Sequence, residues 1–265
     1  MTMTSKYASY PSLLDRVVVI TGGATGIGGS LVEHFALQGS EVIFFDIQTD
    51  AAHLLIESLK QKSKTNTKIL HIPQFIHCDV TDINNSLKPA CEKILRSKTV
   101  VHAVINNAAR DMRQETSSIT VDDWDNSLNV NLRHHFFLTQ FLTQALIDSG
   151  SGSIINMGSI TWAVPATGLA PYVVSKAAIV GLTRTLAHEL GSKGVRVNSI
   201  LPGAIATERQ KKEVLTDEYQ EWVLSRQALK RLLQPGDVAR MALWLVADDS
   251  EGVTNQGLVV DGGWV

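Results

Sequence analysis

Cysteine is scarce: Cys78 and Cys91 are the only two in 265 residues. Two thiols make neither a disulfide framework nor a zinc cluster. They read as buried apolar fillers in a reducing compartment, and no metal centre is expected. Charge of one sign is also lacking, with 24 basic against 26 acidic residues and a net charge of −2. That gives no electrostatic case for nucleic acid or an anionic membrane as partner. No apolar run approaches the ~20 residues that a membrane span needs. Met1 to Ser12 has one lysine and no apolar core, so it does not read as a secretory signal. We expect a loose tail there and, with no targeting segment, a cytoplasmic protein. No linker, repeat or low-complexity stretch divides the rest, so residues 13–265 read as one domain.

What is present is an alternation of buried-strand and helix patterns. Arg16 to Thr21 is a β-branched run, followed by the cluster Gly22-Gly-Ala-Thr-Gly-Ile-Gly28 and a helical stretch from Ser30 to Gln38. Strand, glycine turn and helix form the context that a phosphate-binding turn requires. The spacing is Gly22-x-x-x-Gly26-x-Gly28 rather than G-x-G-x-x-G. A second strand, Glu41 to Asp46, ends in an acid 18 residues after Gly28. That is close to the spacing of a carboxylate that binds the adenosine ribose 2′-hydroxyl. Ile47, Gln48 and Thr25 offer no cation for a 2′-phosphate, so NAD is favoured over NADP. Asp50 to Lys62 reads as an amphipathic helix and Ser63 to Lys68 as an exposed loop.

Gln74 to Val80 reads as a short strand, with Asp79 either accepting from an adenine amine or capping the helix Ile83–Leu95. Val100 to Ala109 is a fourth strand ending in Asn106, Asn107 and small residues that let a flat ring lie close. Thr120 to Ser149 reads as one long helix capped by Thr120. Asn131 within it is either structural or part of a proton path, because a buried mid-helix amide needs partners. Val195 to Ile200 and Gly257 to Val265 supply the last strands. Ala204 to Gln227 is polar and long enough for a helical lid. Strands alternating with helices predict a parallel sheet covered on both faces.

The densest chemistry lies between Ser159 and Lys176. A strand, Gly152 to Gly158, precedes it and a helical pattern, Ala177 to Leu190, follows. Tyr172 and Lys176 are four residues apart and share one helix face. Pro171 suits a first turn, which puts Tyr172 near the positive helix end. Helix end and lysine both favour a phenolate, and Ser159 sits at a strand end to bond the same substrate oxygen. A shift of about 3 units needs roughly 4 kcal/mol of differential stabilisation. The pair alone is common by chance; the rest of the chain gives it meaning.

With these residues placed, the chain resembles the short-chain dehydrogenases/reductases over about Leu14 to Trp264. The resemblance rests on Thr21-Gly-Gly-Ala-Thr-Gly-Ile-Gly28, Asp79-Val80, Asn106-Asn-Ala-Ala109, Asn131, Ser159, Tyr172-x-x-x-Lys176, Arg196-Val-Asn198, Pro202-Gly203 and Thr207, in the family's order. Ala109 departs from it, where the family commonly has glycine. The resemblance implies a doubly wound α/β Rossmann-type sheet of seven strands in the order 3-2-1-4-5-6-7, assembled as a homotetramer or homodimer. It implies a catalytic tetrad of Asn131, Ser159, Tyr172 and Lys176. It implies a cofactor site of Gly22, Thr25, Gly26, Ile27, Gly28, Asp46, Asp79, Val80, Asn107, Ala108, Tyr172, Lys176, Pro202, Gly203, Ile205 and Thr207.

Asn106 to Gln114, Asn129 to Phe137, Gly158 to Trp162, Thr207 to Gln210 and Val260 to Trp264 are similar to sugar 1-dehydrogenases, such as those for D-xylose, arabinose, galactose or rhamnose. Arg110 stands where those relatives often carry a small polar residue. The expected reaction is NAD-dependent oxidation of an aldose C1 hydroxyl to the lactone. Tyr172 would take the proton, Ser159 would hold the oxygen, Lys176 would lower the Tyr172 pKa, and Asn131 would hold a relay water. Substrate-facing candidates are Arg110, Ser159, Trp162, Gln210 and Trp264; for the two tryptophans packing or a subunit interface is the favoured reading. The alternatives are a secondary-alcohol or 3-oxoacyl substrate on the same tetrad, or a nucleotide-binding regulator without catalysis.

Overall fold

The computed structural model describes residues 6–64, 69–214 and 216–265. The first five residues of the expected tail and residues 65–68 of the expected loop lie outside the described residues. Seven strands form one sheet in the order β3-β2-β1-β4-β5-β6-β7. They are β1 Val17–Thr21, β2 Glu41–Asp46, β3 Gln74–His77, β4 Ala103–Asn106, β5 Ser153–Met157, β6 Arg196–Pro202 and β7 Gly257–Val260. All six pairings are parallel. The chain winds outward from β1 in one direction and, after β4, in the other. The strand order therefore reverses between β1 and β4, where a crevice opens at the strands' C-terminal ends.

Side chains of β1 show why the strands are apolar throughout. Val18 and Ile20 join one core with Leu31, Val32 and Phe35 of α1 (Gly26–Ala36) and with Ala239 and Ala242 of α9 (Pro235–Val246). Val17 and Val19 join a second core on the opposite face with Ile94 of α3 (Lys88–Ser97), Leu138 and Leu142 of α5 (His134–Asp148) and Leu186 of α6 (Ala170–Gly191). Alternate residues of one strand thus bury on two sides. Cys78 and Cys91 are buried in the second core, and burial pushes the Cys78 thiol up to about 11. Among the described residues no helix is long and apolar enough to cross a membrane. Within the expected tail, Tyr10 packs against the first core and its N–H donates to Gln38 at 2.9 Å.

The expected long helix from Thr120 is divided. Thr120 and Asp123 form a reciprocal cap on α4 (Val121–Leu128), as the sequence suggests. A π-helical turn, Asn129–Arg133, then separates α4 from α5. A wide turn of this kind frequently marks a functional site. It places Asn131 inward, fully buried. The region after β6 carries α7 (Glu208–Glu213) and α8 (Asp217–Arg226), the two short helices of the expected lid, while α2 (Thr49–Ser63) covers β2 and β3.

Candidate functional site

The glycine turn is built for close approach. Gly22 and Gly26 have φ of 64° and 57°, where a side chain is strained. A Cβ on Gly22 would lie 2.8 Å from the Ala108 Cα, and one on Gly28 would lie 1.7 Å from the Gly22 carbonyl oxygen. A Cβ on Gly26 would touch the Thr207 methyl at 3.3 Å. These contacts bring the turn, the end of β4 and the start of α7 together. Asn107 locks them: its Nδ2 donates to the Thr21 and Gly22 carbonyls at 2.9 and 3.0 Å. The Thr25 side chain caps none of the first-turn amides of α1, which leaves the positive helix end without a side-chain partner. A shallow cradle and an uncapped helix N-terminus fit a dinucleotide pyrophosphate. Ile27 packs against the first core.

Asp46 ends β2 and is buried. One carboxylate oxygen accepts from the Ala24 N–H and the other from the Gln48 N–H, both at 2.9 Å. A carboxylate has about four acceptor positions, so two remain for ribose hydroxyls. The even choice over Asp79 is narrowed: Asp82, not Asp79, caps the next helical turn by accepting from the Asn85 N–H. Asp79 is exposed and accepts from the Thr81 N–H at 2.9 Å and its hydroxyl at 2.7 Å, with Val80 buried beside it. Pro202 ends β6, Gly203 packs against Asp261, Ile205 is buried, and Thr207 caps α7 through the Gln210 N–H.

Ser159, Tyr172 and Lys176 converge above β5. Ser159 is buried and starts a short turn by accepting from the Thr161 N–H. Pro171 and Tyr172 occupy the first turn of α6. Lys176 is fully buried, donates to the Met157 carbonyl at 2.8 Å, and sits 5.5 Å from the centre of the Tyr172 ring. Asn131 is fully buried against the loop after β4. Its Nδ2 donates to the Arg110 carbonyl at 3.0 Å and the Ser127 hydroxyl at 3.2 Å, and its Oδ1 accepts from the Arg110 N–H at 2.8 Å. Both amide hydrogens are therefore spent on the protein. Asn131 pins the loop after β4, and a water it holds must bond the free Oδ1 lone pair or the backbone carbonyl.

The expected lowering of the tyrosine is not what these surroundings produce. Burial pushes the Tyr172 phenol above its ordinary value, and the Asp111 carboxylate adds to this. The Ser159 hydroxyl, Arg209 and Arg113 oppose the rise without cancelling it. Burial pulls Lys176 down to about 7, so its ammonium is easily lost. The motif fixes which groups meet; desolvation of both decides their charge. We predict that near-ultraviolet titration of the protein without cofactor, read as the difference from Tyr172→Phe, shows Tyr172 ionising above the ordinary value of 10. A midpoint below that value contradicts the burial argument.

Of the substrate candidates, Gln210 faces the crevice and Arg110 contributes its backbone to the Asn131 lock, its side chain being exposed. Trp162, three residues after Ser159, is 46% exposed. Trp264 stacks edge-on against Trp222 of α8 at 5.0 Å, which favours the packing reading for it. Sequence reasoning missed Asp111, whose carboxylate meets Arg209 at 3.0 Å and the Gln210 amide at 3.2 Å. It also missed the polar layer beneath. Thr21 Oγ1 accepts from the Asn107 and Ala108 N–H groups at 2.9 and 3.0 Å, so its own proton points to His134 Nε2 at 3.4 Å. Burial holds His134 at about 3 and hence neutral. Two histidines in an apolar helical stretch were the available signal. Among the described residues no cluster of potential metal ligands occurs.

A family model described as "Enoyl-(Acyl carrier protein) reductase" matches residues 22–265. A "Probable galactose dehydrogenase GalD" of Rhizobium meliloti is 39% identical over 98% of this chain and 99% of its own length. A "D-xylose 1-dehydrogenase" of Caulobacter vibrioides is 37% identical over 97% and 98%. A solved structure from Beutenbergia cavernae, described with bound NADP at low occupancy, superposes with a TM-score of 0.87 at 28% identity, covering 96% of this chain and 98% of that one.

Proposed function

Because the chain belongs to the short-chain dehydrogenase/reductase family, we propose that it oxidises the C1 hydroxyl of an aldose to the lactone, with NAD as acceptor. Likeness to two sugar dehydrogenases over 97–98% of the chain carries the substrate class. The family uses NAD or NADP, and the buried Asp46 carboxylate favours NAD, because a 2′-phosphate beside it meets like charge. The glycine turn, Asp46, Asn107, Ala108 and Thr207 would hold the dinucleotide, with Asp79 and Val80 toward its adenine.

A bound nicotinamide would supply the acceptor for the hydride that leaves C1. The chain's own residues do the rest. The Ser159 hydroxyl holds the substrate oxygen. The Tyr172 oxygen takes the hydroxyl proton as the C1–H bond breaks and the carbon–oxygen double bond forms. Lys176, fixed by the Met157 carbonyl, lies over the tyrosine ring and supplies positive charge when protonated. Asn131 holds the loop that forms the site's wall and offers its carbonyl to an outgoing proton path. Exposed Val121, Trp124 and Phe136 on α4 and α5 support assembly into dimers or tetramers through these helices.

The test is NAD reduction followed by absorbance at mildly alkaline pH, with free aldoses and simple secondary alcohols, repeated with NADP. We expect turnover of an aldose, with kcat/KM at least about tenfold lower for NADP, equivalent to about 1.4 kcal/mol. Silence on every sugar with activity on alcohols sinks the substrate class. Equal use of NADP sinks the role of Asp46.

A further inference from the structure

The loop after β4 and the start of the lid are joined by one carboxylate. Asn131 fixes the Arg110 backbone from both sides. The next residue, Asp111, reaches across to α7. Arg209 donates to its Oδ1 at 3.0 Å and to its backbone carbonyl at 3.2 Å, and Gln210 Nε2 donates to its Oδ2 at 3.2 Å. The Asp111 side chain is 16% exposed, against 44% for Arg209. Arg209 also pairs with Glu213 at 2.8 Å, on the solvent side. The Asp111 charge raises both Tyr172 and Lys176, so it is felt at the reacting centre while its hydrogen bonds hold the lid.

We propose that Asp111, with Arg209 and Gln210, forms a substrate subsite that reads neutral vicinal hydroxyls and rejects carboxylates. Each carboxylate oxygen keeps a lone pair after its lid bond, and the guanidinium and amide keep N–H groups. An acceptor beside two donors matches adjacent hydroxyls, each of which donates once and accepts. The ion pair also cancels the Arg209 charge at the mouth of the site. Arg113 lies close enough to act on Tyr172, and Arg110 is its near neighbour in the loop. Without Asp111 the two arginines that act on Tyr172, Arg209 and Arg113, are left uncompensated, which suits a sugar acid. The subsite deepens the aldose reading and rests on it for the identity of the substrate.

Two measurements decide it. The first is kcat/KM on D-galactose and D-xylose with saturating NAD. The second is calorimetric binding of D-galactonate to the protein with NAD. Asp111→Asn is expected to lower aldose kcat/KM by about 10- to 100-fold, mostly through KM, as the substrate hydroxyls lose a charged acceptor. The same variant is expected to bind galactonate at least about tenfold tighter than the wild type. Asp111→Asn with Arg209→Gln should lose that gain, and Asp111→Glu should still reject the acid, which separates charge from misfolding. Glu213→Gln, on the solvent side, should change neither. The subsite is overturned if galactonate binding is unchanged in Asp111→Asn, or if Glu213→Gln mimics it. A wild type silent on all aldoses removes the aldose reading, while galactonate binding still decides whether Asp111 rejects carboxylates.

Discussion

Replacing Tyr172 with phenylalanine is expected to lower kcat about a thousandfold and leave KM nearly unchanged. Proton transfer by a positioned group is worth about 10²- to 10⁴-fold, and the hydroxyl is the only atom removed. The ring stays in the first turn of α6, and the buried Ser159 hydroxyl, which the proposed mechanism assigns to the substrate oxygen, is untouched. The melting temperature should hardly move, since one hydroxyl bond is worth about 1 kcal/mol. A variant that keeps more than about a tenth of the rate excludes Tyr172 as proton acceptor.

The pH profile supplies a second signature of the same group. In the proposed mechanism the reactive form is the phenolate, and burial and Asp111 hold Tyr172 above its ordinary value. Below that value the phenolate fraction rises tenfold per pH unit. The wild-type oxidation rate should therefore climb with slope close to one up to about pH 7 and flatten above it as the Lys176 ammonium is lost. Ser159, Arg209 and Arg113 lower the midpoint, and loss of the Lys176 proton near 7 opposes the climb, but neither reverses its sign. Tyr172→Phe should show a flat profile over the same range.

Much of this site is local in sequence, which is why it could be read there. Tyr172 and Lys176 meet because four residues make one helical turn. The glycine turn is announced by the strand before it and the helix after it. The sheet order follows from the family likeness, and the register agrees, with Asn106 beside Asn156 at the ends of neighbouring strands. What stayed hidden depends on distant partners. The π turn at Asn129–Arg133 interrupts a stretch whose apolar pattern runs on without a break, and the Asn131 amide within it bonds Arg110, 21 residues away. Asp111 and Arg209 are 98 residues apart, and nothing local to either marks the pair. The raised tyrosine was misjudged for the same reason. Helix end and lysine are visible in a sequence, whereas desolvation depends on everything packed around them.

The glycine turn carries the other large expected effect. Gly28→Ala should weaken NADH binding at least about a hundredfold, or about 2.7 kcal/mol. The added Cβ would stand 1.7 Å from the Gly22 carbonyl oxygen, against 3.4 Å for ordinary contact. A backbone carbonyl cannot swing aside as a side-chain tip can. Gly22 itself has no slack, because its neighbours on the other side are Ala108 and Asn107. The turn must therefore deform, and with it the cradle that the first-turn amides of α1 offer to a pyrophosphate. Gly181→Ala is the matched control: in α6 the new methyl meets nothing within 4 Å. Alanine there should stabilise the helix by about 1 kcal/mol and leave NADH binding alone. Fluorescence titration with NADH and thermal melting separate the outcomes. A folded Gly28→Ala protein with wild-type NADH affinity would place the dinucleotide elsewhere than on this turn. Weak binding in that variant, beside a Gly181→Ala protein that melts higher and binds normally, ties cofactor affinity to the shape of one backbone turn.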